Sequence, residues 1–266
     1  MTLKKSADSK WDDLLPRIAS GLVLAVVGLL CIWQGGIWFQ LLAGVSSGIM
    51  VWELYRMIAP DRASEALLFG AMAFVAVFST RWLGFYAIIP ALLPAFAGYV
   101  WAPRLKETYL AFAIGIAIAG FGLIYFRDGY GAIWLLWLML VVIATDIAGY
   151  FAGRALGGPK FWPSISPKKT WSGTVGGWVA SALVGVVFYL ITDAGRDLIW
   201  ISALVSFASQ MGDIAESAVK RRCGVKDSSR LIPGHGGLFD RFDGLLGASL
   251  AMLIVAMLVD VPDLRL

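Results

Sequence analysis

The chain has 266 residues, of which 59% are hydrophobic and 15% charged, with a mean hydropathy of +0.77 and a formal net charge of +4. Soluble domains carry close to a quarter charged residues, so this composition excludes an ordinary soluble fold and predicts an integral membrane protein. The two cysteines, Cys31 and Cys223, have neither a paired extracellular spacing nor a CxxC pattern, so neither a disulfide nor a cysteine zinc site is expected.

Residues 1–17 read as a cytoplasmic tail of mixed charge, with Trp11, Leu14 and Leu15 suited to the membrane interface. The first apolar stretch, 18–33, follows a charged leader without a small-residue cleavage site and therefore reads as an anchor, not a removed signal peptide. Further apolar stretches follow at 37–55, 66–79, 83–100, 109–126, 132–151, 173–191, 199–217 and 245–259. Most are long enough to cross a hydrocarbon core of about 30 Å, the third and the last being short. The expectation is an all-α polytopic protein with about nine transmembrane helices and a cytoplasmic N-terminus. Residues 18–126 look like scaffold, with Glu53 as a lone acid near a helix end, and 127–266 like the catalytic region. Gly44 with Gly48 and Gly149 with Gly153 have the spacing that lets membrane helices approach closely.

Cytoplasmic loops of membrane proteins carry the excess of Lys and Arg. Alternating the nine stretches from a cytoplasmic N-terminus puts 18 of the 22 basic residues inside and leaves Arg81, Arg127, Arg196 and Arg265 outside, together with the C-terminus. The cations thus gather on one face, where anionic headgroups and cytosolic nucleotides are found, and no nucleic-acid partner is expected.

Two long polar connections, 152–172 and 218–244, fall on that face, and each follows a helix with an acid near its end, Asp146 and Asp213. An acid within an apolar helix is costly unless it faces a polar cavity, so the two loops and two acids are expected to converge. Between Ser217 and Asp243 lie six cations, three aspartates and the only histidine of the chain. Helical spacing aligns Asp213, Ser217 and Lys220 on one face, although a Glu216–Lys220 ion pair at a helix end would explain the lysine equally. Asp240 and Asp243 offer the hard oxygen ligands that Mg²⁺ takes, whereas an N-cap role for Asp243 is the plainer alternative. His235, between glycines, can donate to a phosphate or act as an acid or base. Ser166, Lys168, Lys169 and Thr170 can hold phosphate by charge and by the amides of a helix start, but a cytoplasmic loop collects lysines for other reasons too.

The run Ser217-x-Val219-Lys220-Arg221, four residues, Lys226-Asp227, then Pro233-x-His235-Gly236-Gly237-Leu238-x-Asp240-Arg241-Phe242-Asp243 resembles the signature of the phosphatidate cytidylyltransferases, also called CDP-diacylglycerol synthases. The Asp146 helix and Ser166-Pro167-Lys168-Lys169-Thr170 resemble upstream elements of that family, and the hydropathy agrees over essentially the whole chain. Ser172 departs from it, standing where glutamate is usual. The resemblance implies transfer of CMP from CTP to phosphatidate in phospholipid biosynthesis, with Mg²⁺, in the inner membrane and with the site facing the cytoplasm. It implies Asp213 and Asp240 as metal ligands, with Asp243 a further candidate and Asp227 a nearby acid. Lys220, Arg221, Lys226 and Arg241 would hold phosphates, Ser166, Lys168, Lys169 and Thr170 would contact CTP with Asp146 alongside, and His235 would orient or protonate a phosphate oxygen. Ser217 belongs to the same catalytic set. Oligomeric state is left open, a homodimer being one option.

Three other classes fit less well. A transporter of phosphorylated solutes would place ionisable groups near the bilayer midplane on several helices, whereas here they crowd one face. A CDP-alcohol phosphotransferase would continue differently after Asp243-Gly244, and a rhomboid-like protease would need a serine paired with the sole histidine.

Overall fold

A computed structural model describes residues 14–232, 234 and 236–262, so the start of the tail and His235 lie outside the described residues. The chain runs through α1 (Leu14–Gln34), α2 (Gly36–Ile58), α3 (Ala63–Phe78), the single turn α4 (Thr80–Leu83), a 3₁₀ turn (Gly84–Ala87), α5 (Ile88–Trp101), α6 (Lys106–Tyr130) and α7 (Ala132–Leu156). A hairpin follows, β1 (Lys160–Trp162) and β2 (Ser166–Thr170), then α8 (Trp171–Ile191), α9 (Leu198–Cys223) and α10 (Phe239–Ala256). Six stretches among the described residues are helical, long and apolar enough to cross a membrane, one of them running from Ala63 to Trp101. The protein is therefore a helical, multi-pass membrane protein. Two expectations change in detail: the connection 152–172 contains an antiparallel hairpin, and α10 starts at Phe239, well before the apolar run from 245.

Lipid tails are as apolar as leucine, so helices here are held by close backbone approach and by polar contacts more than by the hydrophobic effect. Both predicted glycine pairs serve this purpose. A Cβ on Gly48 of α2 would lie 2.8 Å from the Gly70 carbonyl of α3, and one on Gly173 of α8 would lie 2.6 Å from the Gly149 carbonyl of α7. A third such contact joins α9 to α10, where a Cβ on Gly247 would lie 2.2 Å from the Ala208 carbonyl. Buried hydroxyls knit α7, α8 and α9 together: Thr145 Oγ1 lies 2.9 Å from Ser181 Oγ and donates to Ser206 Oγ at 2.7 Å. Gln210 of α9 donates to the Thr174 carbonyl and accepts from the Trp178 indole, both on α8. This network holds Asp146, next to Thr145, and Asp213, three residues after Gln210, in fixed places.

Side chains also tie the helix ends. Arg62 donates to the Trp101 carbonyl at 3.0 Å and Arg104 to the Ile58 carbonyl at 2.9 Å, at one end of the bundle. At the other end Arg127 donates to the Ile32 and Trp33 carbonyls, and the Trp134 indole to the Pro262 carbonyl.

Candidate active site

The loop between α9 and α10 has little regular structure and is held in place by two carboxylates. Glu53, on α2 and fully buried, accepts four hydrogen bonds from it. Its Oε1 takes Ser229 Oγ at 2.5 Å and the Leu238 amide at 3.0 Å, while Oε2 takes the Phe239 amide at 2.6 Å and Ser228 Oγ at 3.2 Å. The first amides of a helix have no partner within it and carry partial positive charge, so a carboxylate there is doubly favourable. Glu53 thus caps α10 from a helix 185 residues away in sequence. Asp243 is consequently not the N-cap, since the helix begins four residues before it.

Asp240 is the second clamp. Its Oδ2 accepts from the Ser228 amide (2.9 Å) and the Gly237 amide (2.8 Å) and shares the one hydroxyl proton of Ser228 (2.9 Å) with Glu53 Oε2, while its Oδ1 accepts from Lys220 Nζ at 2.7 Å. Gly236 has φ +83°, and a Cβ there would lie 2.7 Å from Asp240 Oδ2, so both its conformation and this close approach call for glycine. Lys220, its side chain 12% exposed, also pairs with the fully buried Glu216 one turn earlier. The ion pair weighed from sequence therefore exists, and Lys220 additionally ties α9 to α10 through Asp240.

Across α9 lies a cavity of about 580 Å³ between α7, the hairpin, α8 and α9. Arg154, Lys160, Lys168 and Lys169 line it together with Asp146 and Thr170. Thr170 caps α8, accepting from the Gly173 amide at 3.2 Å, and lies 3.0 Å from Ser172 Oγ, which donates to the Gly157 carbonyl. The serine at position 172 thus closes the base of the hairpin on the end of α7. Lys169 crosses from β2 to pair with Asp213 at 2.6 Å, and Ser217 donates to the other oxygen of Asp213 at 3.3 Å. This ion pair ties the 152–172 connection to α9, the helix that leads into 218–244.

Asp243 lies on the α10 turn that abuts α9, where a Cβ on Gly212 would come within 2.3 Å of the Asp243 carbonyl. Asp146, Asp213 and Asp243 come from three helices: Asp146 and Lys169 line the same cavity, Lys169 pairs with Asp213, and the Asp243 turn packs against the α9 turn that precedes Asp213. Arg221, Lys226, Asp227 and Arg241 are exposed, and Ser166 is half-buried at the start of β2. Among the described residues no three Asp, Glu, His or Cys side chains form a ready-made metal centre. Mg²⁺ does not require one, since it binds through one or two carboxylates plus waters and substrate phosphates. Asp213 and Asp243 fit that donor set. Asp240 fits it less well, because its two oxygens take Lys220, two backbone amides and the Ser228 hydroxyl, whereas Asp213 has one side-chain donor on each oxygen.

Sequence reasoning left out Glu53, placed with the scaffold, and the cavity cations Arg154 and Lys160. Glu53 carried the same signal that singled out Asp146 and Asp213, an acid within an apolar helix.

A profile of the Cytidylyltransferase family matches residues 15–259. Among similar proteins, one named phosphatidate cytidylyltransferase from Brucella suis is 35% identical over 260 residues, covering 95% of this chain and 96% of its own length. Another of that name from Bacillus subtilis is 30% identical, covering 88% of this chain and 94% of itself. A third, from Staphylococcus epidermidis, is 32% identical over 245 residues. A match of this extent places the chain in the Cytidylyltransferase family.

Proposed function

We propose that this protein transfers CMP from CTP to phosphatidate, forming CDP-diacylglycerol and pyrophosphate at the cytoplasmic face of the inner membrane. The observation that carries the reading is the cation-lined cavity, bounded by the Lys169–Asp213 pair, in a chain whose similar proteins bear that enzyme's name over nearly their full length. A phosphate oxygen of phosphatidate attacks the α-phosphorus of CTP; the new P–O bond forms as the bond to the β-phosphate bridging oxygen breaks, and pyrophosphate leaves. Catalysis of this kind rests on positioning and on neutralising charge, and needs no protein nucleophile.

Arg154, Lys160 and Lys168 hold the triphosphate in the cavity, and Thr170 fixes the α8 start against it. Lys169 orients Asp213, with Ser217 steadying its second oxygen. Asp213 and Asp243 would hold Mg²⁺, with Asp146 beside them, and the ion would supply further neutralisation of the phosphates. Asp240, Lys220 and Glu53 position the α10 start that carries Arg241 and Asp243. Arg241, Arg221 and Lys226 face the lipid phosphate at the membrane surface with Asp227 alongside, and His235 orients or protonates a phosphate oxygen. The topology that suits this chemistry has nine crossings, α1, α2, α3, α5, α6, α7, α8, α9 and α10, with a cytoplasmic N-terminus. Its support is the 18-to-4 division of basic residues and the way Ile58, Arg62, Trp101 and Arg104 meet at one bundle end. Every residue in the scheme belongs to one chain, whether or not two chains pair as a homodimer.

The test is an assay of purified protein with labelled CTP, phosphatidate and Mg²⁺. Phosphatidate-dependent release of pyrophosphate with formation of CDP-diacylglycerol is expected. CTP consumption without lipid dependence, or none at all, would refute the reading.

A further inference from the structure

A second cavity, of about 300 Å³, lies on the other side of α10 from α9, among α1, α2, α6, α7 and α10. Its walls are almost wholly apolar. Along α2 it extends from Phe39 to Met50, eleven helical rises or about 16 Å, so it is a groove running along the bundle and not a local packing fault. Val27 of α1 and Val45 of α2 line it while remaining 45% and 44% exposed, which puts its mouth on the lipid side between those helices.

The groove leads to the active site. Phe242, Leu245, Leu246 and Ser249 of α10 line it, with Leu238 just before the helix, at the spacing of one helix face. Arg241 falls on that same face, between Leu238 and Leu245, at the end where Glu53 caps the helix. It is exposed, and it lies two residues before Asp243, on the turn of α10 that abuts α9. One helix start therefore carries an apolar stripe along the groove and a cation at its head, the pattern that an anionic headgroup with a hydrocarbon tail would match.

We propose that this groove seats one acyl chain of the lipid substrate, entering sideways between α1 and α2, with the lipid phosphate beside Arg241. The proposal rests on the reading of phosphatidate as substrate and adds the residues that select its tail. Because the surrounding bilayer is itself apolar, selection arises from the shape and length of the groove and not from hydrophobic transfer.

Gly28 offers a direct test. It lines the groove, and a Cβ built on it meets nothing within 4 Å, so a larger side chain can grow into the groove without disturbing its own helix. Leu30, 59% exposed and absent from the groove wall, is the control. For Gly28→Phe, kcat/KM for dioleoyl phosphatidate should fall by about tenfold or more, the scale set by mismatched methylenes in an apolar pocket, with dioctanoyl phosphatidate and the KM for CTP nearly unaffected. Leu30→Phe should match the wild type on both lipids. Equal losses on long and short chains, or an unchanged chain-length profile in Gly28→Phe, would overturn the proposal while leaving CMP transfer standing.

A second measurement does not depend on turnover. Wild-type protein in phosphatidylcholine nanodiscs is photolysed with phosphatidate carrying a diazirine on its acyl chain. Crosslinks at 24–32, 39–50 and 242–249 that dioleoyl phosphatidate suppresses, and that extra phosphatidylcholine does not, support the groove. Suppression by both lipids alike would make it a gap filled by any bilayer lipid and would overturn the proposal. Specific crosslinks in a protein that transfers no CMP would uphold the groove and refute the activity.

Discussion

Replacing Glu53 by glutamine removes one oxygen and the charge while keeping the shape. In either orientation of the amide, its NH₂ faces one backbone amide, Leu238 or Phe239, and one serine hydroxyl. The hydroxyl can turn to accept, but the backbone N–H cannot. One buried donor is left unmet, at about 1–3 kcal/mol. Loss of a negative charge at a helix N-terminus adds about 0.3–1 kcal/mol, and up to about 2 in a buried setting. Roughly 2–4 kcal/mol of loop docking is therefore at stake, so kcat for CMP transfer should fall about 30-fold or more, at about 1.4 kcal/mol per factor of ten. The polar cavity proposed to hold CTP is lined by α7, the hairpin, α8 and α9 and not by Glu53, so the KM for CTP should change little. The assay is steady-state kinetics in detergent micelles, normalised to folded protein by size-exclusion profile, with Glu53→Asp as a charge-preserving comparison. A Glu53→Gln enzyme with wild-type kcat would show that the cap is dispensable and refute the argument.

Asp213→Asn and Asp243→Asn should lower turnover by orders of magnitude and shift the Mg²⁺ dependence in folded protein, whereas Asp240→Asn should chiefly lower thermal stability; a Mg²⁺ titration beside an unfolding curve for each variant separates the two roles, and a Mg²⁺ shift confined to Asp240→Asn would reverse the assignment. Gly247→Ala brings a methyl group to 2.2 Å from the Ala208 carbonyl, so α9 and α10 must part and turnover should drop sharply in a protein that still inserts; normal activity would mean that the contact tolerates repacking. Reporter fusions should place 152–172 and 218–244 in the cytoplasm and the C-terminus outside, and a cytoplasmic C-terminus would mean a span count wrong by one.

Membrane residence and the charged cluster from Ser217 to Asp243 were legible in the sequence, because hydropathy and charge add up locally and need no knowledge of which helices touch. The glycine pairs on α2 and α7 were legible for the same reason, since their spacing alone marks a face that a neighbour can approach. What each carboxylate does was not. Asp240 and Asp243 look alike three residues apart, and only the folding of Ser228, Gly237 and Lys220 around Asp240 turns it into a clamp, while the Asp243 backbone packs against α9. Glu53 looked like scaffold because its four donors lie 175 to 186 residues further along the chain. A hydrogen-bonding group has few sites, and whether they are already filled depends on helices distant in sequence coming within 3 Å, which only the tertiary structure decides.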